Sequence, residues 1–169
     1  MKTEVEVLEP PKNTGRALSD EARRLFELGA ERIAADDHAQ ALPALREARD
    51  LAPDHAQLRS LLGVALSRVE RDFEQSRALC ESAAKQEFFN PDLYLNLSRV
   101  YLEFGRRAEA LRYLRRGQMI DPGHASISQM IGVLGKRKAP IVPFLPRRHP
   151  VNRALGSARN LVLSGLGPR

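Results

Sequence analysis

The sequence predicts an all-α protein: an α-solenoid of three helix–turn–helix units, a C-terminal capping helix and an extended basic, Pro-rich tail. Small residues recur with one period, since Gly29, Gly63 and Ser98 stand 34 and 35 residues apart. Apolar residues flank them at helical spacing, and prolines separate the helix pairs. Close helix crossings need small residues and proline cannot continue a helix, so the pattern is typical of stacked helix hairpins. Two further series keep the same period: Ala41, Ser76 and Ala110, and Ala48, Ala83 and Gly117.

The first unit is predicted over residues 20–53, with its turn at Asp36-Asp37. Leucines at helical spacing follow each predicted helix start, and Pro53 ends the unit. Pro43 falls inside the second helix, because Ala41 and Ala48 lie on either side of it. That helix is therefore expected either to begin after the proline or to be kinked there.

The second unit is predicted over residues 54–91, with its turn at Arg71-Asp72. Each proline between units is expected to end the unit before it. Pro91 lies three residues later than the repeat period requires, after the segment Glu87-Phe88-Phe89. We therefore expect this segment to be an insertion that lengthens or distorts the second unit.

The third unit is predicted over residues 92–122, with its turn at Gly105 and its end at Pro122. A capping helix is predicted over residues 124–138, because solenoids need a terminal element to cover their last apolar face. One face of this helix carries Ile127, Met130, Ile131 and Leu134. We expect residues 1–18 to form a flexible N-terminal segment and residues 139–169 to form the tail.

The register of these positions resembles the tetratricopeptide repeat family, whose unit is a helix–turn–helix of about 34 residues. The Leu-Gly step of that family is matched by Leu28-Gly29 and Leu62-Gly63, and by Leu97-Ser98 with serine in place of glycine. The resemblance covers residues 20–122, and it places the domain over residues 19–138. It implies a concave groove made largely by the first helix of each pair.

The resemblance also implies which side chains line the groove, and their mix of apolar and polar groups suits an extended peptide or a partner helix. The alternative is that Phe26, Val64 and Leu95 are core residues. Some members grip a C-terminal carboxylate, but Phe26, Ala30 and Asp92 occupy such positions here, so that clamp is disfavoured. The expected groove residues are Arg23, Phe26, Ala30, Gln57, Ser60, Val64, Asp92, Leu95, Arg99 and Leu102.

The formal net charge of +6 is unevenly distributed, because no Asp or Glu follows Asp121. Residues 123–169 hold eight basic residues, whereas residues 1–122 are slightly acidic. Prolines 140, 143 and 146 have the period of a polyproline II helix, and residues 151–163 have the spacing of a short amphipathic helix. The tail is thus expected to make a second contact, with an anionic partner such as RNA, the ribosome or a membrane surface. Its expected contact residues are Lys136, Arg137, Lys138, Phe144, Arg147 and Arg148.

Catalytic chemistry has no sequence support. Cys80 is the single cysteine and falls on a repeat packing position, so an inert buried thiol is expected. The four histidines lack the spacing of a metal site, and no glycine-rich phosphate loop is present. The sequence therefore predicts neither enzyme, cofactor, metal site nor small-molecule substrate. The absence of an apolar leader in the first residues favours a cytoplasmic location.

The leading functional prediction is a non-enzymatic adaptor or scaffold that binds a peptide or helix in the groove. Three alternatives remain open at this stage. The protein is a nucleic-acid- or ribosome-associated factor that uses its basic tail, a chaperone for secreted proteins, or an adaptor whose tail occupies its own groove.

Overall fold

The computed structural model describes residues 18–135, together with Pro150 and Leu155, which are both helical. The chain divides into two compact units, Met1–Gly135 and Lys136–Arg169. Residues 1–17 of the predicted N-terminal segment lie outside the description. So do nearly all residues of the predicted tail, including its six expected contact residues.

Seven helices make up the described part of the first unit, and residues 18–135 contain no strand. The prediction of an all-α repeat fold is confirmed. None of the described helices is long and apolar enough to cross a bilayer. In chain order the helices are α1 (Asp20–Ala34), α2 (His38–Leu51), α3 (Ala56–Val69), α4 (Phe73–Gln86), α5 (Pro91–Glu103), α6 (Arg107–Ile120) and α7 (Ala125–Gly135).

The helices pack as three hairpins in succession, α1 on α2, α3 on α4 and α5 on α6, and α7 packs on α6. The first helices of the hairpins also touch one another, α1 against α3 and α3 against α5. Leu45, Leu62, Leu97 and Leu114 are almost completely buried along this stack. Helices that are each too short to be stable alone are therefore held by a continuous apolar core.

Side chains cap most of the helix starts, as the polar residues before them predict. The Asp37 carboxylate accepts a hydrogen bond from the backbone N–H of Gln40 at 3.2 Å, and Asp72 accepts one from Gln75 at 3.0 Å. Ser19 caps α1 through the N–H of Ala22. These caps satisfy N–H groups that have no partner inside the helix, which fixes where each helix begins.

The connections are more regular than the sequence suggested. The three turns inside hairpins each have three residues, and the three links between α2 and α3, α4 and α5, and α6 and α7 each have four. Residues 87–90 therefore do not lengthen the second unit, and that expectation is wrong. Pro91 is the first residue of α5 rather than the end of the preceding unit. A proline is well suited to this position because its missing N–H would have no helical partner there.

Two further predicted helices, α2 and α7, can be compared with the structure. α2 begins at His38, five residues before Pro43, so the expectation of a late start is wrong and the helix continues through the proline. α7 is described over Ala125–Gly135, and the last three residues of the predicted capping helix, 136–138, lie outside the description. Ile127 is the one fully buried residue of α7, whereas Met130, Ile131 and Leu134 are partly buried against the same cluster.

Candidate functional site

A groove follows the first helices of the hairpins. Its larger cavity has a volume of about 560 Å³ and is bounded by α1, α3 and α5, with Met130 of α7 at its edge. Its smaller cavity, of about 300 Å³, lies between α1, α3 and α5 and includes Ser126 of α7. Leu61 and Arg99 line both cavities. The two cavities therefore form one continuous surface rather than two separate sites.

The floor of the larger cavity is apolar. Apolar side chains from successive helices form it, and of these Val64 belongs to the buried core. They are Ala30, Ile33, Leu61, Val64, Leu102 and Met130. Such a concave apolar floor with a few polar groups at its rim is the usual form of a binding site.

Arg99 is the cation at the centre of the groove. Its guanidinium donates to the Asn96 side-chain oxygen at 3.1 Å, and no carboxylate of the described residues lies within 4 Å of it. Desolvation lowers the pKa of Arg99, and the charge of Asp92 partly offsets this effect. The Arg99 charge is thus partly removed from water without a salt bridge to compensate it.

The other charges at the rim are paired. Glu103 is largely buried and is held by Arg68, at 3.1 Å, and by Arg71. Arg68 also lies 3.6 Å from Asp36, whose carboxylate contacts the His38 ring at 3.1 Å. This network joins the turns of the first two hairpins to the end of α5 and closes one end of the larger cavity.

Aromatic and imidazole side chains lie toward the opposite end. The Phe26 ring packs edge-on against His55, with ring centroids 5.5 Å apart. Burial lowers the pKa of His55, which favours the neutral ring that caps α3. Asp92 lies 3.0 Å from the ring nitrogen of His124. The groove thus runs from a paired ionic cluster, past Arg99, to an aromatic wall.

The comparisons with known proteins agree with this architecture. The tetratricopeptide repeat family profile matches residues 68–132. The helical stack has the tetratricopeptide-repeat fold, and this part of it matches the family profile. No curated protein sequence matches the chain.

Solved structures give the same fold. The TPR2B domain of yeast Sti1 in its pHsp70 complex is 21% identical, with a TM-score of 0.58, and the match covers 71% of this chain and 100% of that one. The first repeat domain of Spaghetti (RPAP3), bound to the HSP90 peptide SRMEEVD, is 16% identical with a TM-score of 0.58, over 70% and 96% of the two chains. YrrB, described as having an unusual peptide-binding site, is 20% identical with a TM-score of 0.55, over 68% and 58%. At these identities the likeness is one of fold.

The helical stack brings most of the expected groove residues together. Eight of the ten line one or both cavities. Of the other two, Ser60 is completely buried with its hydroxyl unpartnered, and Arg23 is exposed on α1 and lines neither cavity. Val64 and Leu95 line the cavities, but they are only 3% and 4% exposed and belong to the apolar core. They are therefore both groove residues and core residues.

Sequence reasoning missed the ionic end of the groove. Arg68 and Glu103 each lie four residues beyond an expected groove residue, Val64 and Arg99, and therefore on the same helix face. Extending each predicted face by one helical turn would have included them. Leu61 gave the same signal, because it lies four residues after Gln57 and three before Val64, both expected groove residues.

The described residues of the helical stack contain neither a reactive thiol nor a metal-binding cluster. Cys80 is completely buried, its thiol donates to the Ser60 carbonyl oxygen at 3.3 Å, and burial raises its pKa to about 12. Such a thiol is not a nucleophile at neutral pH. Residues 18–135 hold no cluster of three His, Cys, Asp or Glu side chains that fits a metal ion.

Proposed function

We propose that the protein is a non-enzymatic adaptor whose groove binds an extended peptide segment of a partner protein. The observation that carries this proposal is the continuous groove with Arg99 at its centre. A bulky apolar side chain fits the apolar floor of the larger cavity. An acidic group of the same peptide pairs with Arg99, because the other cations at the rim already have carboxylate partners.

The fold likeness supports a peptide ligand rather than specifying one. One similar structure holds an HSP90 peptide, whose sequence SRMEEVD is acidic, and another is a pHsp70 complex. Phe26 and Ala30 stand where chaperone-binding members carry clamp residues, so we propose a ligand held by one central cation and an apolar pocket. The basic tail is proposed as a second contact on the strength of its sequence charge.

Peptide selection on the full chain tests this function. Heptapeptides selected from a displayed library are expected to share one acidic and one bulky apolar residue. The Arg99→Gln variant is expected to lose about tenfold in affinity for them, since a hydrogen-bonded charge partner is removed. Ala30→Gln is expected to weaken the same peptides by occupying the larger cavity. Fluorescence anisotropy of a labelled selected peptide measures both effects.

Arg24→Gln is the matched control, because Arg24 is an exposed arginine on α1 that lines neither cavity. Its affinity should equal that of the unmodified chain. Selected peptides that bind the Arg99→Gln and Ala30→Gln variants as tightly as the parent would show that the groove is not the binding site.

A further inference from the structure

A second surface lies away from the groove, at the end of the stack where α4 meets α5. Phe88 and Phe89 occupy the link between these helices and are 43% and 56% exposed. Their rings touch each other, with centroids 4.2 Å apart. The carbonyl oxygen of Phe88 accepts a hydrogen bond from the Tyr94 hydroxyl at 3.1 Å, which fixes this link against α5. Two large apolar side chains are therefore held in water by an ordered backbone.

The last turns of α6 continue this surface. The Arg116 guanidinium carbon lies 5.4 Å from the centre of the Tyr94 ring, and so next to the Phe88 link. Met119, 84% exposed, follows one turn beyond Arg116 on the same helix face. Arg112 lies one turn before Arg116, and Arg115 is adjacent; all three arginines are exposed. We call Phe88, Phe89, Met119, Arg112, Arg115 and Arg116 the Phe–Arg edge, and none of the six lines either cavity.

The arginines of the Phe–Arg edge differ from those on the other outer helices. In the described residues no carboxylate lies within 4 Å of any of the three. On α2 and α4, by contrast, Arg46 pairs with Glu70 and Arg77 pairs with Glu74 and Glu81. The three arginines of the edge therefore have no carboxylate partner among the described residues.

Nearby acidic side chains are engaged in local hydrogen bonds. Glu87 accepts from the Asn90 side-chain amide at 3.0 Å, and Asp121 accepts from the N–H of Gly123 at 2.9 Å. These contacts hold the two links at the end of α4 and α6 in shape. Both carboxylates keep their charge, but neither lies within 4 Å of an arginine of the edge.

The order of side chains along α6 indicates what that partner is. Each residue advances a helix by about 1.5 Å, so Arg116, Arg115 and Arg112 lie about 4.5, 6 and 10.5 Å behind Met119. Apolar groups that enter a membrane interface reach about 5–10 Å into it, while basic groups remain at the level of the phosphates. The apolar side chains of the edge are exposed and line neither cavity of the groove, and they fit a deformable apolar phase. We propose that the Phe–Arg edge docks on a bilayer that contains anionic phospholipids.

Vesicle binding by the full chain tests this proposal. Co-sedimentation is measured with phosphatidylcholine vesicles and with vesicles that also contain phosphatidylserine. The chain is expected to partition onto the anionic vesicles. The double variant Phe88→Ser, Phe89→Ser should reduce the partition coefficient about tenfold, through lost apolar burial. The triple variant Arg112→Gln, Arg115→Gln, Arg116→Gln should reduce it about fivefold for each charge removed.

Matched controls separate this edge from general positive charge. Val69→Ser removes an apolar side chain that is 42% exposed at the other end of the hairpins, and Arg24→Gln, Arg46→Gln, Arg49→Gln removes three arginines elsewhere. The Val69 control should bind as the parent does, and the arginine control should lose less than the edge triple. Equal losses in the two triple variants, or full binding by the Phe variant, would mean that charge alone attracts the chain and would overturn the proposal.

A direct readout of insertion is available because the chain contains no tryptophan. In the Phe89→Trp variant, the emission maximum should shift to shorter wavelength on anionic vesicles, whereas in Val69→Trp it should not move. An unchanged Phe89→Trp spectrum on bound vesicles contradicts the proposal. A second result would also contradict it: the arginine triple variant of the edge no longer binds an oligouridine probe but still binds anionic vesicles as the parent does. The Arg99→Gln variant should bind vesicles as the parent does, because Arg99 lies in the groove. Failure of the groove proposal can therefore be distinguished from failure of the membrane proposal.

Discussion

Gly63→Ala is expected to destabilise the protein by about 2–3 kcal/mol. A β-carbon at this position would stand 2.7 Å from the Cys80 sulfur and 2.8 Å from the backbone carbonyl oxygen of Ser76. The carbonyl cannot rotate away as a flexible side chain does, so α3 and α4 would have to separate. The separation would loosen the fully buried contacts around Leu62. The free energy of unfolding in urea measures the effect.

Gly132→Ala is the matched comparison, and its expected effect has the opposite sign. Gly132 follows Ile131 as Gly63 follows Leu62, so both glycines occupy the same position in the repeat. Among the described residues, no side chain or backbone atom of a facing helix lies within 4 Å of the β-carbon that Gly132 would gain. Alanine in an exposed helix is favoured over glycine by up to about 1 kcal/mol, so this variant should be slightly more stable. A loss of stability in both variants would contradict the explanation by helix contact.

The repeat period was enough to predict the fold because close helix contacts impose it directly. Gly29, Gly63 and Gly117 each lie where a β-carbon would come within 2.7 Å of a facing side chain. Any sequence with this architecture must keep small residues at such points, and that requirement can be read without coordinates. The link containing Phe88 could not be predicted in the same way. A proline signals that a helix begins or ends nearby, but Pro91 could not show which.

The groove was harder to predict from the sequence than the fold, since the exposure of a side chain depends on how far neighbouring helices diverge. Periodicity places Ser60 and Arg99 on comparable helix faces, yet Ser60 is completely buried and Arg99 lies in both cavities. Charge pairing across the stack is also invisible in the sequence. Arg68 and Glu103 are 35 residues apart, and only the packing of α3 against α5 brings them within 3.1 Å. Arg99 is the central cation of the groove because Arg68 and Arg71 are paired with carboxylates, and these pairs form only in the folded stack.

Leu97→Ala is expected to destabilise the protein by about 3 kcal/mol, within the range for large-to-small changes in a core. Leu97 is 1% exposed and packs with Val64, Cys80, Val100 and Tyr101, so its removal leaves a cavity that rigid helices cannot close. The free energy of unfolding in urea, with an unchanged dependence on denaturant concentration, measures the loss.

Leu28→Ala provides the control for this change, because Leu28 and Leu97 hold the same position in the repeat. Leu28 is 42% exposed, since no helix precedes α1 in the described stack to cover it. Its replacement should cost less than about 1 kcal/mol, because little buried apolar area is lost. If the two variants were equally destabilised, repeat position alone would determine the effect and the burial of each leucine would not. The expected threefold or larger difference instead follows from the stacking of one unit on the next, which covers Leu97 completely and leaves Leu28 partly exposed.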